Sequence, residues 1–308
     1  MKINGKEFGR IFLAPMAGVS EVGFRTVCKM AGADLTYTEM VNATALIHDS
    51  QKTKELLITN QIEVPKAVQI FGHNADDMAK VCAMEILNDF DIIDINFGCP
   101  APKIVKNGDG SALLKDFKKV KEIVTKCVNA SSKPITCKFR KGFEENHNVA
   151  VDMAKLCEES GASALTIHGR TREQMYSGMV DLETIAKVKQ SVKIPIIGNG
   201  DVVDEESYKK MLSTGVDAVM IGRGALGNPN LFNELKGLPK LDKMDLIKKH
   251  VKVLREHYSE SFVNVTMRKH LLWYISGIRG ANKIKLDIAT SPSLENSLKI
   301  IEQYIYEI

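Results

Sequence analysis

The chain has 308 residues, of which 44% are apolar, with 42 basic and 38 acidic side chains and six cysteines. This composition excludes an intrinsically disordered chain, a disulfide-rich scaffold and a collagen-like repeat. No apolar stretch approaches the roughly 18 residues that a membrane span needs, and residues 1–10 lack the apolar core of a signal peptide. We therefore expect a cytoplasmic protein with free thiols and no membrane partner.

The net charge of +4 is unevenly distributed along the chain. Residues 1–239 carry 30 basic and 30 acidic side chains, whereas residues 240–308 carry 12 and 8, so the whole excess belongs to the last segment. Such a surplus is compatible with a solvated helical surface or with a surface that contacts an anionic partner such as nucleic acid. The charge alone leaves both interpretations open.

Eight short segments rich in β-branched residues are predicted as strands. Glycine follows several of the helical stretches between them, as at Gly32 and Gly161, and proline precedes other strands, as at Pro65 and Pro134. The predicted strands are 11–14, 35–39, 67–71, 92–96, 135–140, 164–168, 194–198 and 218–221. The predicted helices between them include 75–87, 117–128, 149–160, 182–191 and 205–212. This alternation favours a (β/α)8 TIM barrel over a doubly wound sheet of five or six strands.

The strand pattern stops after Pro239. Three helices are predicted beyond it, at residues 241–258, 265–276 and 293–306. We therefore expect two domains: a TIM-barrel catalytic domain in residues 1–239 and a small all-helical domain in residues 240–308.

Polar and small residues follow the predicted strands. The active site of a TIM barrel is built at the carboxyl ends of its strands, so these residues are expected to meet at one cavity. They are Pro15, Met16, Ala17, Glu39, Gln69, Asn96, Cys99, Lys138, Arg140, His168, Arg170, Asn199, Gly200, Asp201, Gly222 and Arg223.

Glycines after the eighth predicted strand spell a G-x-G-x-x-G pattern. That pattern marks a dinucleotide site when it follows the first strand of a βαβ unit, which is not its place here. Loops after the seventh and eighth strands of TIM barrels often bind phosphate, and Gly200, Gly222 and Arg223 fit that role. The alternative is that these glycines are needed only for tight turns.

Three reactive side chains at the strand ends allow more than one interpretation. Cys99 is a small core residue or a reagent, and a thiol with a pKa of about 8.5 serves as a proton donor or as a nucleophile. Lys138 forms a Schiff base or binds an electron-rich ring, and the neighbouring Gln69 and Asn199 favour ring recognition. His168 is a core residue or a cofactor ligand, because no metal-binding motif accompanies it. Together they indicate a flavin mononucleotide (FMN) site.

These motifs resemble those of the tRNA-dihydrouridine synthase family, most closely its B-type branch. The resemblance runs from about Leu13 to Lys285 and is most specific at Asn96-Phe97-Gly98-Cys99-Pro100. It also includes Ala14-Pro15-Met16-Ala17-Gly18, Lys103, Gly108, Gly110, Leu113-Leu114, His168-Gly169-Arg170-Thr171, Gly198-Asn199-Gly200-Asp201, Ile221-Gly222-Arg223-Gly224, Met267-Arg268-Lys269-His270 and Trp273-Tyr274.

The resemblance implies an FMN-containing barrel in which Cys99 is the proton donor. It implies that FMN is bound by Pro15, Met16, Ala17, Gln69, Lys138, His168, Asn199, Gly200, Asp201, Gly222 and Arg223. NADPH or NADH would reduce FMN, which would pass hydride to C6 of a uridine in tRNA while Cys99 protonates C5. The expected substrate contacts are Asn96, Lys103, Arg140, Arg170, Arg172, Arg268, Lys269 and His270.

Several alternatives remain open at the level of sequence. Ribosomal RNA could replace tRNA as substrate, since the same chemistry would serve. An FMN barrel that acts on a free pyrimidine, similar to dihydroorotate dehydrogenases, would give no role to the basic tail, residues 240–308. A non-catalytic RNA-binding protein would give no role to Lys138, His168 and Cys99. Ordinary helix-surface solubility is the competing explanation for the tail lysines, and core packing is favoured for Trp273 and Tyr274. We expect a monomer without a metal.

Overall fold

A barrel of eight parallel strands forms the main body of the protein. The computed structural model describes residues 1–277 and 280–306. The barrel strands are β3 (Ile11–Leu13), β4 (Thr36–Asn42), β5 (Lys66–Phe71), β6 (Ile92–Phe97), β7 (Ile135–Gly142), β8 (Ala164–Thr171), β9 (Ile196–Asn199) and β10 (Ala218–Ile221). Each strand pairs with its neighbours in chain order, and β10 returns to β3. A bridge between Phe12 and Leu35 joins β3 to β4 and closes the ring. The predicted TIM barrel is confirmed, and every predicted strand overlaps an observed one.

Helices cover the outside of the barrel. They are α1 (Val22–Met30), α2 (Ala43–Ile47), α3 (Gln51–Lys54), α4 (Ala75–Cys82), α5 (Pro102–Lys106), α6 (Phe117–Ala130), α7 (Ala150–Glu159), α8 (Leu182–Ser191), α9 (Glu205–Leu212) and α10 (Leu231–Leu235). In α6 the apolar spacing of Val120, Ile123, Val124 and Cys127 produces one buried face. The predicted helix 75–87 was too long, because Met84 takes extended backbone angles and only a short 3₁₀ turn follows.

The barrel interior changes from apolar to polar along its axis. A hairpin of β1 (Lys2–Ile3) and β2 (Lys6–Glu7), which the sequence did not predict, packs Ile3 and Phe8 under the amino-terminal ends of the strands. These side chains form one cluster with Phe12 and Tyr37 inside the barrel. Every second residue of a strand points into the barrel, so the next inward-facing residues lie further along the strands toward their carboxyl ends. These side chains are polar. The polar layer therefore lies at the carboxyl ends of the strands.

Four helices follow the barrel in the described part of the chain. They are α11 (Lys243–His257), α12 (Glu260–Tyr274), α13 (Ala281–Thr290) and α14 (Leu294–Tyr306). Three were predicted; α13 was missed because only Ala281 and Ile288 of its ten residues are buried. The helices share an apolar cluster of their own, and the boundary predicted at residues 239/240 stays a prediction. None of the described helices has the length and apolar character to cross a bilayer.

Candidate active site

A cavity of about 860 Å³ opens at the carboxyl ends of the barrel strands. All eleven residues predicted to bind FMN line it, together with Cys99, Asn96 and Arg140. The predicted FMN contacts among its lining residues are Pro15, Met16, Ala17, Gln69, Lys138, His168, Asn199, Gly200, Asp201, Gly222 and Arg223. Lys103, Arg170, Arg172, Arg268, Lys269 and His270 are not among the lining residues.

Lys138, on β7, is the central cation of the cavity. Its Nζ donates a hydrogen bond to Asn199 Oδ1 at 3.1 Å, and Asn199 Nδ2 in turn donates to the carbonyl of Met220 at 2.8 Å. Burial and the nearby Arg140 lower the pKa of Lys138 to about 8, although the Asp94 carboxylate acts in the opposite direction. The ammonium group is therefore held in place by a fixed amide and has room to interact with a ligand.

His168, on β8, is a neutral hydrogen-bonding group. The residue is buried, and burial together with the positive charges of Lys138 and Arg140 lowers its pKa well below the usual value. A neutral imidazole offers one donor and one acceptor. It can therefore contact a ring edge without adding another charge to the cavity.

Glycines and one arginine form the corner after β9 and β10. An added Cβ at Gly200, whose φ is +131°, would lie 2.6 Å from Val180 Cγ2, so a tight packing need explains this glycine. Gly222 differs, because the nearest atom to an added Cβ would be Met16 Sδ at 3.5 Å. The half-exposed Arg223 begins the 3₁₀ turn Arg223–Ala225 beside it. This corner can receive an anionic group.

Asp201 holds two arginines rather than facing the cavity with a free carboxylate. Its Oδ2 accepts from Arg170 and from the backbone N–H of Val180, and its Oδ1 lies 3.2 Å from Arg223 Nη2. Burial alone would raise the pKa of Asp201, but the hydrogen bond and charge of Arg170 hold it below its usual value. Asp201 thereby fixes the position of the Arg223 guanidinium.

Cys99 lies in the loop between β6 and α5, with a clamped backbone. Its N–H donates to Asn96 Oδ1 at 2.8 Å, and its carbonyl accepts from the N–H and hydroxyl of Ser111 at 3.1 and 2.9 Å. Burial raises the pKa of the thiol, so the group is protonated at neutral pH. This state fits a proton donor better than a nucleophile. The other five cysteines are buried free thiols.

Two arginines predicted to contact substrate have hydrogen-bond partners within the protein. Arg140, on β7, lines the cavity, but it donates to the carbonyls of Gly98, Thr171 and Met175 and so ties the loop after β6 to the end of β8 and the loop that follows it. Arg170 is only 2% exposed and donates to two carbonyls of the loop after β8 and to Asp201. The prediction that Arg170 contacts RNA was wrong, because its guanidinium is enclosed by these partners.

The other predicted substrate contacts outside the cavity are spread around it. Lys103 is exposed on α5, and Arg172 is partly buried with its guanidinium carbon 5.3 Å from the centre of the Phe143 ring. Arg268 is exposed on α12, and Lys269 donates to the carbonyl of Gly18 at the rim of the cavity. Lys103, Arg268 and Lys269 therefore lie on accessible surface.

His270 does not reach that surface. It is 1% exposed, and its Nε2 lies 3.2 Å from Glu21 Oε1, while His250 Nε2 lies 2.7 Å from the same oxygen. The prediction that His270 contacts RNA was wrong, because the side chain points into the junction between α1, α11 and α12. Core packing, favoured for Tyr274, is confirmed by its 1% exposure.

Glu21, His250 and His270 form the one potential metal-ligand group in the described chain. A structural zinc site uses four protein ligands, and this group has three. Glu21 Oε2 is also engaged, because it accepts from the N–H of Phe24 at the start of α1. The cluster lies outside the cavity and forms a buried polar junction in which His250 is hydrogen-bonded to Glu21 and His270 packs beside them.

Asp94 and Tyr176 were not predicted from the sequence. Asp94 is fully buried on β6, two residues before Asn96, and strand alternation could have placed both side chains on the inner face. Burial raises the pKa of Asp94 to about 6, against hydrogen bonds from Gln69 and Thr136. Tyr176 lies at the cavity rim with the Arg223 guanidinium carbon 4.7 Å from its ring centre, and no sequence pattern indicated it.

Comparisons with known proteins agree with the motifs. The family model described as dihydrouridine synthase (Dus) matches residues 12–306. A protein of Pasteurella multocida named tRNA-dihydrouridine synthase B is 40% identical over 281 residues, covering 88% of this chain and 85% of the relative. A protein of the same name from Pseudomonas aeruginosa is 35% identical over 309 residues, covering 97% and 93%.

A solved structure supports the fold. The structure of DHODH in complex with ferulenol from Eimeria tenella superposes with a TM-score of 0.57 at 13% identity, covering 80% of this chain and 84% of that one. At this identity the likeness concerns the fold alone. The family model and the relatives extend over nearly the whole chain, and the chain belongs to the dihydrouridine synthase family.

Proposed function

We propose that this protein is a tRNA-dihydrouridine synthase, which reduces the C5–C6 double bond of uridine in tRNA with a bound FMN and with NADPH or NADH as reductant. One observation carries the proposal: a single cavity combines Lys138, His168 and Asn199 with the protonated thiol of Cys99. The relatives from P. multocida and P. aeruginosa carry the same name. We also propose that the protein acts in the cytoplasm as a monomer.

The donor set of the cavity fits FMN. Gly222 lines the cavity, where an added Cβ would make only ordinary van der Waals contacts, and the neighbouring Arg223 offers a cation to a phosphate. Lys138, Asn199 and the neutral His168 would hold the electron-rich edge of the ring system. Bound there, FMN supplies the hydride chemistry that the protein side chains lack. Further contacts are proposed for Pro15, Met16, Ala17, Gln69 and Gly200, and Asp201 would act through Arg223.

The Cys99 thiol and the proposed phosphate site at Gly222 and Arg223 lie on opposite sides of the cavity. Cys99 follows β6 and Gly222 follows β10, and these strands are four positions apart in a ring of eight. A uracil bound beside Cys99 would receive the proton of its thiol at C5. Burial keeps the thiol protonated before the reaction, and the charges of Arg140 and Lys138 favour the thiolate that remains after the proton has left.

The rim of the cavity offers cations to an RNA backbone. A uracil cannot reach this depth while stacked in a helix, so the target base must lie in a loop or be extruded. Lys103, Arg268 and Lys269 are proposed to contact phosphates, with Arg172 at the edge. Arg140 and Asn96 line the cavity and would contact the base. The basic tail contributes less than its charge suggests, because Lys248 and Arg255 form ion pairs with acidic side chains of the helical segment.

The proposal is tested by separating flavin reduction from product formation. We expect purified protein with FMN to form dihydrouridine in tRNA from a strain that lacks this modification. The variant Cys99→Ala should still reduce its FMN with NADPH at the wild-type rate. Its formation of dihydrouridine should be slower by roughly 10²-fold or more, because a positioned acid contributes about that factor. Stopped-flow flavin absorbance and mass spectrometry of digested tRNA give the two rates.

Matched substrates separate the competing functions. Ribosomal RNA from the same strain and free uridine are assayed beside tRNA at equal uridine concentration. Product on free uridine at the tRNA rate would contradict an RNA substrate, and product on ribosomal RNA alone would contradict tRNA. Unchanged product formation by Cys99→Ala would show that another group is the acid.

A further inference from the structure

We propose that Asp94 is a positioning residue that sets the direction of a hydrogen-bonded relay through Gln69 and Asn96, and so holds the Cys99 loop in place. This inference rests on the proposed function only for its catalytic consequence. The relay itself follows from side chains buried inside the barrel.

The relay begins at a carboxylate on β6. Asp94 is fully buried, and its two oxygens have separate partners. Oδ1 accepts from the hydroxyl of Thr136 at 2.6 Å, and Oδ2 accepts from Nε2 of Gln69 at 2.7 Å. An ionised carboxylate only accepts hydrogen bonds. The Gln69 amide must therefore turn its NH₂ group toward Asp94.

The next two links transmit this orientation. With its NH₂ group committed, Gln69 presents Oε1 to Asn96, whose Nδ2 donates to it at 2.7 Å. Asn96 then has only its Oδ1 left for the loop, and this oxygen accepts from the N–H groups of Gly98 and Cys99 at 3.0 and 2.8 Å. Each amide side chain has two ends of opposite polarity, so one choice at Asp94 decides all of the links.

The far end of the relay requires the same direction. Backbone N–H groups can only donate, so Gly98 and Cys99 need an acceptor from Asn96. Read from that end, Asn96 must donate to Gln69, and Gln69 must donate to the residue at position 94. A relay between two fixed donors and one fixed acceptor has a single satisfied arrangement. Asp94 supplies the acceptor, and it acts on Cys99 only through Gln69 and Asn96.

The proposal explains why a carboxylate is buried here. An uncompensated carboxylate is costly to bury, and an apolar residue of similar size is often tolerated better in such a place. Asp94 has no N–H or O–H to give to a ligand in its ionised form. Its contacts with Gln69 and Thr136 therefore point to orientation of neighbouring groups as its role.

Two substitutions at Asp94 separate the relay from the charge. Asp94→Leu removes the acceptor and the charge, whereas Asp94→Asn removes the charge but can still offer an oxygen to Gln69. Thr136→Val is the matched control, because it removes the other hydrogen bond of the same carboxylate and leaves the link to Gln69. Iodoacetamide labelling of Cys99, the one cysteine that is not buried, reports the state of the loop.

We expect Asp94→Leu to speed Cys99 labelling roughly threefold to tenfold, the factor for loss of a hydrogen bond of ordinary strength. Asp94→Asn and Thr136→Val should stay near the wild-type rate. In the FMN-loaded enzyme, Asp94→Leu should slow dihydrouridine formation roughly tenfold or more while flavin reduction by NADPH is retained, because a small displacement of an acid has a large effect on rate.

Each outcome decides the proposal. An unchanged labelling rate in Asp94→Leu would show that the relay is wrong. The relay would also be wrong if Asp94→Asn speeds labelling as strongly as Asp94→Leu, because loss of the charge would then be the cause. If the wild type forms no dihydrouridine, the proposed function fails, and the labelling rates still test the relay.

A second pair of variants covers the case in which Asp94→Leu does not fold. Gln69→Glu places two carboxylates face to face and should disturb the loop at a pH high enough to ionise both of them. In the double variant Asp94→Asn/Gln69→Glu, Asn at position 94 can donate to Glu at position 69, whose other oxygen still accepts from Asn96. The double variant should restore the labelling rate that Gln69→Glu changes; failure to restore it would overturn the relay.

Discussion

Lys138 keeps a charge in a place where burial disfavours it. Its pKa is lowered to about 8, so the folded protein releases this proton at a lower pH than the unfolded chain, whose value is near 10.5. The free energy of unfolding that depends on this group is therefore largest above pH 10.5 and is lost as the pH falls through 8. At neutral pH the protein carries the whole cost of a cation that the site needs.

Lys138→Met should relieve this cost in protein from which the cofactor has been removed. We expect the variant to unfold at higher urea concentration than the wild type at pH 7. The advantage should shrink by about 1 kcal/mol between pH 7 and pH 9, because the wild-type ammonium then loses its proton. Lys103→Met, which changes an exposed lysine, is the control. An advantage for Lys138→Met that is equal at both pH values would contradict the assigned cause.

The loop after β8 is an element held from inside the barrel. Arg140 and Arg170, on neighbouring strands, donate to its backbone carbonyls at Met175, Ser177 and Gly178. The loop itself exposes large apolar side chains, with Met179 at 86% exposure. Because its outer surface contributes little packing, the two buried guanidinium groups are its main support.

Arg170→Met should loosen this loop without changing the barrel. Hydrogen bonds to charged groups contribute about 1.5–3 kcal/mol each, so we expect amide exchange in residues 174–180 to accelerate at least about tenfold. Hydrogen exchange followed by mass spectrometry measures this. Arg172→Met is the matched control, because that side chain lies over Phe143 instead of the loop carbonyls. Equal exchange in the two variants would show that Arg170 does not support the loop.

At the scale of the whole molecule, a buried cluster joins the barrel to the helices that follow it. Glu21, at the start of α1, lies beside His250 of α11 and His270 of α12, with the Tyr274 hydroxyl 3.3 Å from His250 Nδ1. Burial opposes ionisation of Glu21, but the two histidines hold its pKa below the usual range. Burial lowers the pKa of His270 to about 4, against the attraction of Glu21. The junction is therefore built for an anionic Glu21 and a neutral His270.

This junction should weaken in acid. Both pKa values lie below those of the unfolded chain. The stability from His270 is present above pH 6.5 and is lost as the pH falls toward 4, whereas the stability from Glu21 is lost only below pH 4.5. Trp273, the single tryptophan of the chain, packs its ring 5.0 Å from His270 and reports the change. We expect its fluorescence to shift to longer wavelength over this range.

The variant Glu21→Gln should show the same shift already at pH 7, with about 3 kcal/mol less stability, because a buried charged network has lost its centre. Glu7→Gln, at an exposed acid, is the control and should change stability by less than about 0.5 kcal/mol. An unchanged tryptophan spectrum in Glu21→Gln would contradict the role of the cluster.

Local patterns in the sequence were sufficient for the strands and for most of the cavity. Strand ends are marked by short-range signals such as Pro134 and Gly222, and barrel topology brings those ends together. The roles of Arg170 and His270 could not be predicted in this way. Whether a basic side chain faces solvent or a carbonyl depends on which loop or helix packs above it, and that is decided by contacts distant in the chain.

Asp94 is visible in the sequence as an unusual residue, but its role is not. An acidic residue within an apolar strand gives a clear local signal, yet its partners Gln69 and Thr136 belong to two other strands. The helix α13 was missed because most of its residues are exposed, so the apolar period is weak. In both cases the missing information is the identity of the neighbour.

The hairpin of β1 and β2 has a consequence for the order of events in the cavity. Because Ile3 and Phe8 pack against the apolar side chains inside the barrel, the barrel is closed at the amino-terminal ends of its strands. The cavity opens only at the carboxyl ends. Under the proposed function, the nicotinamide reductant and the uridine would both reach the flavin through this one opening, because neither could enter from the opposite end of the barrel. Each reactant, when present in excess, would therefore inhibit the binding of the other.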